Sequence, residues 1–113
     1  MTLYDELPVF KASYDLLLNI YQFAATLTRE YKYTLGEKLK NETLELIMLI
    51  YRANSNRSKI DIIQQAREQI ELVRLLLRVL KDLKQISIKG YVRINQQVEN
   101  VSKQLTGWQK SQK

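Results

Sequence analysis

The side chains that could carry chemistry in this sequence are its cations and its amides. Arg67, Arg74, Arg78 and Lys81 recur at helical steps, and Lys89, Arg93, Lys103 and Lys110 follow among Gln96, Gln97, Asn100, Gln104 and Gln109. Arginine can grip phosphate through two parallel hydrogen bonds, and Gln and Asn add neutral contacts to backbone or bases. Such a surface suits RNA or DNA with little sequence preference. The competing reading is a solvated face, with the first four residues anchored to carboxylates of a neighbouring helix.

Catalysis finds less support. Histidine and cysteine are both absent, which removes the commonest general base, the commonest transition-metal ligand, thiolate nucleophiles and disulfides. Glu68 and Glu71 sit at helical spacing from Arg67 and Arg74 and read as surface ion pairs, Arg67 with Glu71 and Glu71 with Arg74. Gly36 is followed by Glu37-Lys38 without the rest of a phosphate-binding loop. The expectation is a non-enzyme with no cofactor and no metal.

The net charge of +6 is unevenly spread. Residues 1–31 carry −2, residues 32–54 carry +1, and residues 55–113 carry +7 from twelve bases against five acids. A basic half attracts phosphate polymers or acidic protein surfaces. No stretch resembles a signal peptide and no apolar run is long enough to cross a bilayer. The expectation is a cytoplasmic protein without a membrane partner.

These residues need helices to position them. With one Pro and three Gly in 113 residues, long uninterrupted helices are favoured over short strands. The spacing predicts four, over about 9–31, 37–54, 58–85 and 87–107, with a basic tail over 108–113. Pro8 suits the start of the first. Its apolar stripe reads as Phe10, Tyr14, Leu17, Tyr21, Ala24, Leu27 and Tyr31, widened by Leu16, Leu18, Ile20 and Phe23. Thr34 with Glu37 reads as a capping box for the second, whose inner face is Leu39, Thr43, Leu46, Ile47, Ile50 and Ala53. Ser58 is the expected N-cap of the third. Tyr91, Ile94, Val98, Val101, Leu105 and Trp108 give the fourth a knobs-into-holes seam. Short turns between long helices imply one domain, an all-α, antiparallel up-down-up-down four-helix bundle.

The third helix is aliphatic round most of its circumference over 72–83, its polar residues Arg74, Arg78, Lys81 and Asp82 forming a narrow strip. One bundle core hides an arc of little over 100°, so Leu72, Leu75, Leu76 and Val79 are expected at an interface between copies, in a barrel-like homo-oligomer, the alternative being a central helix sheltered within one chain.

Four stretches in this order carry a family likeness: Tyr31-Lys32-Tyr33-Thr34-Leu35-Gly36-Glu37, Ala53-Asn54-Ser55, Leu72-Val73-Arg74-Leu75-Leu76-Leu77-Arg78, and Leu105-Thr106-Gly107-Trp108. Together they resemble the accessory variability determinants of diversity-generating retroelements, within a wider family of four-helix proteins encoded in 23S ribosomal RNA intervening sequences. Thr106 departs from the glycine expected there. The first stretch is shared in variant form across the wider family, whereas the Gly-Trp ending and the Leu-x-x-x-Arg run favour the retroelement branch. The resemblance implies a homopentamer with a basic surface. It further implies binding to a retroelement reverse transcriptase and its nucleic acids in support of mutagenic reverse transcription, with no chemistry of its own. The alternatives are a ribosomal intervening-sequence protein of unknown binding role and an unrelated helical oligomer.

Overall fold

The computed structural model describes residues 4–112. After a 3₁₀ turn at Tyr4–Glu6 come α1 (Pro8–Ala24), the one-turn α2 (Arg29–Lys32), α3 (Leu35–Asn54), α4 (Lys59–Asp82) and α5 (Ile88–Ser111). The four long helices form a square in which α3 packs on α1 and α4, and α5 on α4 and α1. The body measures 44 × 22 × 21 Å, its length that of a 24-residue helix of about 36 Å plus its turns. Among the described residues there is no strand, and no helix is long and apolar enough to cross a membrane.

The core is built from one aliphatic row per helix. Val9, Leu16, Ile20 and Ala24 of α1 face Leu39, Leu46, Ile50 and Ala53 of α3, Ile63, Ala66, Ile70, Val73, Leu77 and Leu80 of α4, and Ile94, Val98, Val101 and Leu105 of α5. The α3 face and the α5 seam fall where the periodicity puts them, with Tyr91 and Trp108 half-buried at the seam's ends. In α1 the expected stripe is rotated. Tyr14 and Tyr21 are exposed, and Val9, Ser13, Leu16, Ile20 and Ala24 point inward. Two rows compete at helical spacing there, and the aliphatic one packs between α3 and α5 while the phenol hydroxyls stay in water.

The first helix also ends sooner than its apolar pattern suggests. The Thr26 hydroxyl donates to the Phe23 carbonyl at 2.7 Å, and the Thr28 hydroxyl donates to Gln85 Oε1 at 3.1 Å. Leu27 turns inward between them and is buried. It lies so close to Gly36 that a Cβ there would come within 2.9 Å of Leu27 Cδ1 and 3.2 Å of the Tyr31 carbonyl. The chain therefore breaks into α1 and α2 in place of one helix to residue 31.

The caps differ too. Thr34 stands at the N-cap of α3 without a capping bond; its hydroxyl donates to the Glu30 carbonyl at 3.0 Å, while Glu37 pairs with Lys40 at 2.9 Å. Ser58 makes no capping bond either, whereas Ser87 accepts the Gly90 N–H at 3.0 Å and starts α5. At the end of α4, Lys84 adopts φ 61°, with Gln85 N–H donating to the Leu80 carbonyl and Lys84 N–H to that of Lys81, both at 2.9 Å. That is a Schellman closure. The expected tail is helical to Ser111, because Gly107 does not break α5; Lys113 lies outside the described residues.

Candidate nucleic-acid interface

The eight basic residues singled out by spacing fall into two groups once their partners are seen. On α4 most are engaged. Arg67 is half-buried and donates through Nη1 to Gln109 Oε1, tying α4 to α5. Arg74 forks onto Glu71, with Nε and Nη2 at 3.1 and 3.2 Å from its two oxygens, and also pairs through Nη1 with Glu99 of α5. Of the expected ion pairs, Glu71–Arg74 therefore forms and Arg67–Glu71 does not. Arg78 is exposed and reaches Asp82 at 3.9 Å. Lys81 lies 5.0 Å above the Tyr91 ring, a cation–π contact across the α4–α5 seam.

The α5 group is different. Lys89, Arg93, Lys103 and Lys110 are exposed, and none meets a carboxylate or a hydrogen-bond partner among the described residues. They share one strip with Gln96, Asn100 and Gly107, all exposed, at steps of four, three, four, three, four and three. At 1.5 Å per residue the strip from Lys89 to Lys110 runs about 32 Å. Gly107 adds bare backbone, since a Cβ there would meet nothing within 4 Å. The other amides are structural: Asn19 Nδ2 donates to Gln97 Oε1 at 2.8 Å, and Gln109 Nε2 donates to the Ile60 carbonyl at 3.2 Å and to Gln64 Oε1 at 3.0 Å. Gln104 donates to Asn100 Oδ1 at 3.2 Å, along the strip's edge.

The strip forms because the aliphatic seam of α5 occupies the opposite arc, leaving the cations nothing to pair with but water. Its place within the row of Lys89 and Lys110 was the signal that would have put Gly107 on this surface rather than at a helix end. Elsewhere, Arg29, Arg52, Arg57 and Lys84 are also exposed and unpaired among the described residues, but they lie singly at helix ends and turns, and several other cations are neutralised or used as caps. Lys11, Lys38 and Lys40 pair with Asp15, Glu42 and Glu37. The Glu37 carboxylate bound to its ammonium holds Lys40 above the usual lysine value. Lys59 Nζ donates to the carbonyls of Ala53, Asn54 and Asn56 at the end of α3. A charge left without a local partner on a solvated face is the one available to a phosphate.

The residues expected between copies divide as well. Leu76 is buried in the chain's own core, Leu72 and Val79 are half-buried, and Leu75 is 57 % exposed. The helix looked over-apolar because α4 touches both α3 and α5 and so buries a wide arc within one chain. A broader exposed apolar surface lies on α1 and α3, where Tyr14, Leu18 and Tyr21 run beside Leu44, Met48 and Tyr51.

Architecture and surface together define an all-α four-helix bundle with a cationic face on α5. A family model described as bAvd-like matches residues 9–112, and the chain belongs to that family. This is the family of accessory variability determinants that the four sequence stretches resemble. A comparison with curated proteins finds no match.

Proposed function

We propose that the chain is a non-catalytic accessory protein that binds a retroelement reverse transcriptase and its template RNA or cDNA, supporting mutagenic reverse transcription. The observation that carries this reading is the row of unpartnered cations on α5, in a chain of the bAvd-like family. Four positive charges about 32 Å end to end match a single strand's backbone or an acidic groove of a polymerase. No histidine or cysteine is present in the sequence, and among the described residues no cluster of acidic side chains could hold a metal. Both fit a role in which the polymerase supplies the chemistry.

Self-association belongs to the same proposal. The exposed Tyr14, Leu18 and Tyr21 of α1 and Leu44, Met48 and Tyr51 of α3 offer apolar surface for contact between copies. A closed ring, five-fold by family resemblance, repeats the α5 strip around its circumference and turns a modest charge per chain into a multivalent field.

The test is reconstitution. The cognate reverse transcriptase is assayed for capture by the protein and for copying of template-repeat RNA, with wild type and with Arg93→Ala/Lys103→Ala. Wild type is expected to capture the polymerase and to support copying, and the double variant to lose both while keeping its helical circular-dichroism signal. Full activity of the double variant would refute the role given to α5.

A further inference from the structure

We infer that one unpaired nucleotide docks in the cleft where α1 meets the α4–α5 turn, so that the protein favours single-stranded over duplex nucleic acid. The inference rests on the reading of α5 as a nucleic-acid surface and adds a base-binding end to it. The cleft has a volume of about 350 Å³ and is walled by Asn19, Gln22, Phe23 and Thr26 of α1 and its end, and by Gln85, Ile86, Ser87, Gly90, Arg93 and Ile94. That is the small end of the range for ligand sites, about 300–1,000 Å³, room for one nucleotide rather than a stacked run.

Its lining has the chemistry of a base site. No carboxylate faces it, and the one charged wall residue, Arg93, is also the second cation of the α5 strip. A strand lying on α5 therefore reaches the cleft without leaving its phosphate contacts. Phe23 is half-buried and offers its ring where a base can stack or meet it edge-on. Gln22 is exposed, and among the described residues no hydrogen bond engages its amide, so both its donor and its acceptor are open to a base edge. Gln85 and Asn19 are held in place instead, Gln85 by the Thr28 hydroxyl at 3.1 Å and Asn19 by its bond to Gln97. Gly90 keeps the floor open, since a Cβ would come within 3.1 Å of Ser87 Oγ and 3.3 Å of Ile86 Cγ1.

A duplex keeps its bases stacked and paired and cannot fill this cleft. Electrostatics alone favours the duplex, whose charge density is higher, so a preference for the single strand is diagnostic. The experiment measures anisotropy of labelled 12-nucleotide single-stranded RNA, single-stranded DNA of the same sequence, and the matching RNA duplex, at one low salt concentration. Wild type and the charge-neutral, exposed-site variant Gln22→Leu are compared, with Phe23→Leu as a second variant that keeps an apolar side chain there. Wild type is expected to bind a single strand at least about tenfold more tightly than duplex. Gln22→Leu is expected to lose about fivefold for the single strand and nothing for the duplex. A 5-iodouridine-substituted strand should photocrosslink to Phe23. Equal binding of single strand and duplex, with Gln22→Leu like wild type and crosslinks confined to the outer face of α5, overturns the cleft site and leaves the α5 surface standing. Absence of binding to all three probes overturns both. The RNA and DNA arms separate a site that needs the ribose 2′-hydroxyl from one that reads base and phosphate alone.

Discussion

Replacing Arg74 by alanine should damage the fold and spare nucleic-acid binding, the reverse of what its place in a basic run suggests. Its guanidinium spans three contacts, a fork onto Glu71 and an ion pair with Glu99 on the next helix. The Arg74 side chain is 29 % exposed, against 57 % for Glu71 and 43 % for Glu99. Charge-assisted hydrogen bonds contribute about 1.5–3 kcal/mol each when shielded from water, and surface pairs about 0.2–1 kcal/mol. A half-buried arginine between two more exposed carboxylates belongs between these limits. Its loss also leaves two like charges across the α4–α5 groove. The expected cost of Arg74→Ala is about 2 kcal/mol, or a fall in Tm of about 5–10 °C for a domain of this size. Urea denaturation followed by circular dichroism measures the first, and a thermal scan the second. A double-mutant cycle with Glu99→Ala should return a coupling of at least about 0.5 kcal/mol. An unchanged midpoint, together with a loss of RNA affinity like that of an α5 variant, would refute this and return Arg74 to the binding surface.

Three further stability changes follow from local geometry. Gly36→Ala should destabilise by about 1–2 kcal/mol in urea, because the new Cβ meets the Tyr31 carbonyl as well as Leu27 Cδ1 and backbone cannot swing aside. Ser13→Ala should raise stability by about 1 kcal/mol, since Ser13 Oγ is buried without a hydrogen-bond partner among the described residues. Lys84→Gly should add about 0.5–1 kcal/mol by relieving the left-handed backbone at φ 61° while leaving the Schellman bonds in place; a lower midpoint would show that its side chain matters more than its backbone.

The regular parts of the bundle were legible from spacing. Leu39, Thr43, Leu46, Ile50 and Ala53 of α3, and Ile94, Val98, Val101 and Leu105 of α5, are buried as a 3.6-residue period requires. α1 was harder because it carries two apolar rows. Periodicity finds Leu16 and Ile20 beside Tyr14 and Tyr21 but does not say that the aliphatic row wins, or that Val9 joins it, a choice made by neighbours distant in sequence. The break after Ala24 depends on Gln85, 57 residues beyond the Thr28 it holds. In the candidate site, residue type and helical spacing identified Lys89, Arg93, Lys103 and Lys110. What spacing could not show is that Arg67 and Arg74 are engaged by Gln109, Glu71 and Glu99, since an ion pair between helices leaves no local signature. The cleft beside Arg93 was invisible for the same reason, its walls coming from residues 19–26 and 85–94.

The most direct test of the α5 surface is the salt dependence of affinity for single-stranded RNA, for wild type and for Arg93→Ala/Lys103→Ala. The four unpartnered cations of the α5 strip give an expected slope of log affinity against log salt of about −2.8, at about −0.7 per contact. Affinity should then fall about 50-fold from 50 to 200 mM salt. With two contacts removed, the slope should halve to about −1.4 and the fall shrink to about sevenfold. Where several copies touch one strand, both slopes grow and their ratio stays near two. A double variant that keeps the wild-type slope, or a wild type whose affinity ignores salt, would contradict the claim that α5 meets the nucleic-acid backbone.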